Sequence, residues 1–485
     1  MSLVERHPLR WWGLAVTVLA VLVDMVDNQI VTVALPAIQR RLGAGEAALQ
    51  WISAGYALGF ALTLITGGRL GDRYGRKRLF LVGMTVFILA STGAGLAPGA
   101  GILIAARVVQ GIGSGLMVPQ VLSFIHAEFA EDERPKAMMY YSIAFPVGGI
   151  GGPLVGGLLT QANLFDTGWR AVFLVNVPFG VLAVVGALLA VPDRPGTSGR
   201  RLDLAGLALL TAGLFAIFYP LVQGREQGWP WWLVALVIAA VPLLALFAAQ
   251  QRAAARRGGE PLIAPGLLRR RGLLTAQAVT FCTNTAVGVF FVLTLHLQLG
   301  LAYSPLATAL AFVPAAAGIV VGNVVAMRLA PRYGGTFTAA GTVVMLAGLA
   351  LIAVLVVRLG GGLSPTALLG PTLVWGLGVG GVLNSLFAIS MSQVGPEQAG
   401  SASGVVNTTV QLGTAAGIAL LGTVFFSRTG AGFAAAAVTA MAVAIGVLVL
   451  ALLLTAALPR PRRGARFEPR STARGEHGRR PSSRP

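Results

Sequence analysis

Asp24 and Asp27 stand three residues apart in Val21-Leu22-Val23-Asp24-Met25-Val26-Asp27-Asn28-Gln29-Ile30-Val31, a stretch otherwise apolar but for Asn28 and Gln29. Successive residues of a helix turn by about 100 degrees, so Asp24, Asp27, Asn28 and Val31 share one face. Two carboxylates in a low dielectric repel, and at least one of them should exchange protons near neutral pH. Arg107 is the natural counter-ion, a cation inside another apolar run. At about 1.5 Å per residue from the same side of a bilayer, Asp27 lies about 22 Å and Arg107 about 27 Å along their helices, so the two can meet. Such a pair is a proton-operated switch: a proton on Asp27 frees Arg107, and its loss restores the pair. The plainer alternative is a structural ion pair that is merely tolerated. Asp24 is left with two readings, a hold on a cationic group of a ligand or a second proton site.

The elements that position these residues follow from composition. The chain has 485 residues, 55% hydrophobic and 11% charged, with a mean hydropathy of +0.78, outside the soluble globular range. About 20 apolar residues of helix cross a hydrocarbon core about 30 Å thick. Fourteen such runs are expected, an all-α polytopic membrane protein; barrel strands would be shorter and would alternate. The first run follows Arg6 and Arg10 as a signal peptide would, but its length and two acids make it a retained helix. Of 17 acidic residues, only Asp24 and Asp27 fall deep within a run.

The net charge of +19 is a topology signal. Most Lys and Arg fall on one side when the N-terminus is placed in the cytoplasm, with Arg40 and Arg41 the main exceptions. A multi-pass plasma-membrane protein with both ends cytoplasmic is expected, and nucleic acid is excluded as a partner. The Arg- and Pro-rich tail, 459–485, should be disordered and lie on anionic lipid. Cys282 is the only cysteine, so neither a disulfide framework nor a thiolate metal site is expected. A phosphate-binding loop, metal-ligand spacing and a nucleophile motif are all missing, which argues against an enzyme and against a cofactor. Energy must come from an ion gradient.

Arg69-Leu70-Gly71-Asp72-Arg73-Tyr74-Gly75 is echoed by Arg328-Leu329-Ala330-Pro331-Arg332-Tyr333-Gly334, which argues for duplication. The expected organisation is an N-terminal six-helix half, 1–191, an insert of two extra helices, 192–260, a C-terminal six-helix half, 261–458, and the tail.

These residues also carry a family resemblance. Gly68-Arg69-Leu70-Gly71-Asp72-Arg73-Tyr74-Gly75-Arg76-Lys77-Arg78-Leu79 resembles the signature loop of the major facilitator superfamily. Arg107-Val108-Val109-Gln110-Gly111-Ile112-Gly113 resembles the next family motif, and Gly148-Gly149-Ile150-Gly151-Gly152-Pro153-Leu154-Val155-Gly156-Gly157 the motif associated with antiporters. Asp27 to Pro36 and Trp169 to Pro178 resemble elements of the fourteen-helix drug:proton antiporters. The C-terminal half matches more weakly, chiefly in Asn407-Thr408-Thr409-Val410-Gln411-Leu412-Gly413.

The resemblance implies two six-helix bundles that rock about a central cavity and export amphiphilic drugs or antibiotics against protons. It makes Gly68, Asp72, Arg73, Gly75, Arg76 and Lys77 a cytoplasmic latch, with Pro331 denying the second half an acid-mediated equivalent. In the antiporter-like run, Gly148, Gly152, Gly156 and Gly157 allow close backbone packing, and Pro153 bends the helix. Asp24, Asn28, Gln110, Asn284, His296, Asn384, Asn407 and Gln411 are candidates for the cavity, or for hydrogen-bonded glue between helices. His296 reads first as an interfacial histidine and second as a pH sensor. A cavity with one or two acids favours lipophilic cations. The rivals are an uptake symporter of the same fold and a non-transporting receptor or scaffold, against which the intramembrane charge pair speaks.

Overall fold

The structure, a computed structural model, describes residues 8–162, 167–194, 196, 203–257, 261–262, 266, 270–394 and 399–459. The Arg-rich tail beyond Pro459 and much of the two loops taken as domain seams lie outside the described residues. Regular structure among the described residues is helical throughout. In order the helices are α1 Arg10–Leu42, α2 Glu46–Tyr74, α3 Arg76–Gly95, α4 Ala100–Glu128, α5 Arg134–Ala162, α6 Gly168–Ala190, α7 Leu204–Gln223, α8 Trp231–Arg256 and α9 Arg271–Gly300. There follow α10 Pro305–Tyr333, α11 Gly335–Leu359, α12 Pro365–Ser392, α13 Ala399–Arg428 and α14 Phe433–Thr455. Thirteen are long and apolar enough to cross a bilayer; α5, bent by 40° between Lys136–Gly149 and Gly151–Ala162, makes fourteen. Pro153 explains the bend, since it offers no N–H to the carbonyl of Gly149 and its ring crowds that carbonyl. Large apolar side chains such as Leu189 and Leu453, 73% and 67% exposed, face outward, where lipid rather than water is the solvent.

The duplication is visible in the packing. Within the N-terminal half α1 packs on α5 and α6, α2 on α4, and α3 on α4 and α6; the C-terminal half repeats each pairing, α9 with α13 and α14, α10 with α12, α11 with α12 and α14. The contacts between halves, α2 on α13 and α5 on α10, exchange under the same pseudo-two-fold relation. The inserted hairpin α7–α8 lies against this seam, α7 touching both α2 and α13. Its connecting turn grips the N-terminus of α2: Arg225 pairs with Glu46, and Glu226 Oε1 accepts from the Ala47 N–H at 2.8 Å, a carboxylate at the positive end of a helix dipole.

The cores show how the halves sit. One buried cluster joins them, bringing Ile30, Leu35, Leu49 and Ile52 together with Phe291, Leu295, Phe425 and Phe426. All of these lie toward the face opposite the N-terminus of α1. Toward the face that carries this N-terminus the core divides into one cluster for each half, with Leu14, Phe60, Phe80 and Phe124 in one and Ala276, Val279, Val382 and Leu386 in the other. Among the described residues the apolar core is therefore sealed across the halves on the far face and parted on the terminal face. Gln298 Nε2 donates to the Val33 carbonyl at 2.9 Å across that seal.

Candidate functional site

Asp27 is the centre of a buried network that draws on five helices. Arg107 Nη1, from α4, reaches Asp27 Oδ2 at 2.5 Å and also donates to Gln110 Oε1 at 2.7 Å, while its Nε donates to the Ile52 carbonyl of α2 at 3.1 Å. Gln110 Nε2 donates to Asp27 Oδ1 at 2.9 Å. Asn176 Nδ2, from α6, donates to the same oxygen at 2.6 Å. Ser91 of α3 accepts from both amides, at 3.0 and 3.2 Å, and its hydroxyl donates to the Phe173 carbonyl at 2.9 Å. Each of these side chains is at most 2% exposed. Arg107 and Gln110 meet Asp27 together because they are one helical turn apart, at i and i+3. Asn176 is placed by a break: Pro178 leaves the Leu174 carbonyl without its usual donor, and α6 is interrupted at Val175.

Asp24 lies one turn away in a second network. Tyr56 of α2 donates its hydroxyl to Asp24 Oδ1 and shares a 2.9 Å hydrogen bond with Ser114 of α4; Asp24 Oδ2 has no hydrogen-bond partner. The Tyr56 ring also lies under the Arg107 guanidinium, 4.3 Å from its carbon to the ring centre, a cation–π contact inside the bundle. Tyr56 thus touches both networks. Sequence reasoning placed Asp24, Asp27, Arg107 and Gln110 here but missed Tyr56, Ser91, Ser114 and Asn176, which carry no charge to mark them; Asn176 in the Trp169 to Pro178 motif offered the one signal.

The latch residues surround the α2–α3 turn on the terminal face. Asp72 and Arg76 approach to 3.7 Å, each about half exposed. Arg76 Nη1 donates to the Ser123 carbonyl at 3.1 Å and Lys77 Nζ to that of Leu188 at 2.8 Å, so both brace the N-terminal half. Arg73 lies over the Tyr74 ring, and Gly68 packs beside Pro119. Arg69 reaches the Pro261 and Leu262 carbonyls in the stretch that leads to α9. Gly75 sits at φ +99°, a region costly to a side chain by about 1–3 kcal/mol. Gly75→Ala is expected to lower the unfolding temperature in detergent by that much stability, and an unchanged melt would show the turn relaxes freely.

The small-residue run of α5 faces two ways. Gly148, Gly152 and Gly156 lie against Met25, Gln29 and Ile30 of α1, whereas Gly157 lies against Pro305 and Leu306 of α10 in the other half. Other candidates are scattered. Asn28 and Asn384 are half-buried and Asn407 is exposed. Asp24 and Gln110 belong to the buried networks, Asn284 donates to the Thr280 carbonyl of its own helix at 2.9 Å beside Gly413, and Gln411 is 7% exposed. An acid-lined open cavity is thus not what this conformation presents: both carboxylates are fully covered. His296 is 1% exposed rather than interfacial, because it opens a π-helical turn, His296–Gly300, inside the far-face seal.

Comparison with known proteins agrees with this architecture. The model of the Major Facilitator Superfamily matches residues 17–418. A probable actinorhodin transporter of Streptomyces coelicolor is 40% identical over 424 residues, 87% of this chain and 73% of the relative. The puromycin resistance protein of Streptomyces alboniger is 37% identical over 436 residues, 87% and 83% of the two chains. Among solved structures, a bacterial homologue of the human lysosomal transporter Spinster, inward-facing and unoccupied, superposes with a TM-score of 0.66 at 16% identity, covering 93% of this chain and 98% of that one; at that identity the likeness is one of fold.

Proposed function

Because the chain belongs to the Major Facilitator Superfamily, and so is a multi-pass membrane transporter rather than an enzyme, we propose that it exports amphiphilic antibiotics or drugs across the plasma membrane in exchange for protons. The observation that carries the reading is the buried Asp27–Arg107 pair. A carboxylate sealed from water and held by one cation is a two-position device: protonation removes the charge that holds Arg107, and loss of the proton restores it. A purely structural bond would be served as well by apolar packing of the same volume.

The movement has a route through packed elements. Asp27 and Arg107 tie α1 to α4; α1 rests on the small residues of α5; and α5 meets α10 at Gly157, where the far-face seal closes. Releasing the pair lets α1 and α5 adjust, which loosens that seal. With both chain ends cytoplasmic, as the charge distribution implies, the parted terminal face is the cytoplasmic one and the structure is the inward-open conformation. Among the described residues Asp72 pairs with Arg76 of its own half and with nothing in the opposite half, as a latch for the other conformation should. Antibiotic cargo is supported by the two relatives named for actinorhodin and puromycin. Because Asp24 and Asp27 are bonded within the N-terminal half, neither reads cargo charge in this conformation, so the proposed cargo is amphiphiles at large, lipophilic cations included.

The test uses inverted membrane vesicles energised to an acidic interior, a pH-sensitive dye, and puromycin and actinorhodin as probes. Antiport predicts that adding a probe outside raises the interior pH relative to vesicles lacking the protein. Acidification on adding the probe would mark a symporter, and no response to either probe would count against these cargoes.

A further inference from the structure

We propose that Asp24, with Tyr56 and Ser114, is a second proton-binding site, occupied while Asp27 stands ionised against Arg107. The inference deepens the proton-coupled reading above and rests on it for its consequence, an ordered uptake of two protons, Asp24 first and Asp27 second.

Charge balance comes first. The buried cluster holds two carboxylic groups and one guanidinium, none more than 1% exposed. With both acids ionised it would carry an uncompensated negative charge, which a sealed interior does not tolerate. One acid must therefore hold a proton, and the hydrogen bonds distinguish the two. Asp27 receives Arg107 on Oδ2 and the Gln110 and Asn176 amides on Oδ1, three donors spread over both oxygens, the environment of a carboxylate. Asp24 receives the Tyr56 hydroxyl on Oδ1 and lies beside the Ser114 hydroxyl, neither of them a cation, and its Oδ2 is bare. An ionised group would leave charge on that bare oxygen, whereas a neutral acid does not.

The groups that face Asp24 agree. They are Asp27 from its own helix, Tyr56 from α2, Arg107 and Ser114 from α4, and Tyr141 from α5. Arg107 is the only cation among them, and its Nη1 is already committed to Asp27 and Gln110. Tyr56 links the two positions, its hydroxyl on Asp24 and its ring under Arg107. Loss of the Asp24 proton would create a second anion beside Tyr56 and draw the guanidinium away from Asp27. Ser114 completes the site as the second partner of the Tyr56 hydroxyl.

Infrared difference spectra of the purified full-length protein across a pH titration, in light and heavy water, read the proton directly. At neutral pH the unaltered chain should show the carbonyl stretch of a buried protonated carboxylic acid. That band should be absent from Asp24→Asn, while Tyr56→Phe should keep it but move it to higher frequency through loss of the hydroxyl donor. A band that survives in Asp24→Asn, fails to move in Tyr56→Phe, or is missing from the unaltered chain overturns the proposal. If Asp24→Asn does not fold, judged by its size-exclusion profile, the presence or absence of the Tyr56→Phe shift decides. The band needs neither cargo nor gradient, so failure of probe-driven proton movement in vesicles leaves this result intact, and failure here leaves export standing on Asp27.

Discussion

Asp27→Asn is expected to reduce probe-dependent proton movement in inverted vesicles to the background of vesicles without the protein, while the variant still folds. The amide has the same shape and can stay bonded to Gln110 and Asn176, both of which approach Oδ1 of the native residue, but it neither titrates nor holds Arg107 by charge. The partner substitution behaves differently. Arg107→Ala leaves Asp27 buried without its cation, and removing one member of a buried pair costs about 3–5 kcal/mol, so a lowered melting temperature should accompany the lost flux. Arg107→Lys should not rescue coupling, because one ammonium cannot reproduce contacts to Asp27, Gln110 and the Ile52 carbonyl made by a planar fork. Thermal melts in detergent alongside the dye assay separate these outcomes. Native proton movement through Asp27→Asn would reduce the pair to a structural role.

Gly157→Val is expected to open the far face. A Cβ at Gly157 would stand 2.9 Å from the Leu306 Cα and 3.0 Å from the Pro305 carbonyl oxygen, backbone of the opposite half that cannot rotate aside. Overpacking of this kind costs about 1–3 kcal/mol, paid only in the conformation that closes this seam, so the equilibrium should move about 5- to 150-fold toward the state in which α5 and α10 part. Val33 lies in the seal and is 1% exposed. A Val33→Cys reporter in a Cys282→Ser background should therefore react with an impermeant maleimide from the far face faster by about that factor. Gly156→Val is the control: its side chain would meet Ile30 of α1 within the same half, so it should lower stability without speeding the reaction. Equal reactivity with and without Gly157→Val would show that the α5–α10 contact is not part of the gate.

Much of this molecule was legible in the sequence because a bilayer imposes strict terms. A segment must be apolar for about 20 residues to cross it, and a charge within such a segment is expensive enough to be conspicuous. Hence the helices, the family, the bend at Pro153 and the meeting of Asp27 with Arg107 could all be anticipated. The uncharged members of the site could not, since a buried Ser, Tyr or Asn costs far less than a charge and looks like any other polar residue on a helix. Asn176 reaches Asp27 across 149 residues of chain, and only the packing of α6 beside α1 brings it there.

By itself the sequence determined the number of spans, the duplication and which charges must find partners, because transfer free energy and helical periodicity are local properties of a chain. The tertiary structure alone decided which face is sealed, that Gly157 rather than Gly156 faces the other half, and that Asp24 is bonded to Tyr56 instead of lining an open cavity. Those outcomes depend on how two independently formed bundles dock, and neighbours in that docking are set by side-chain shape across helices far apart in sequence.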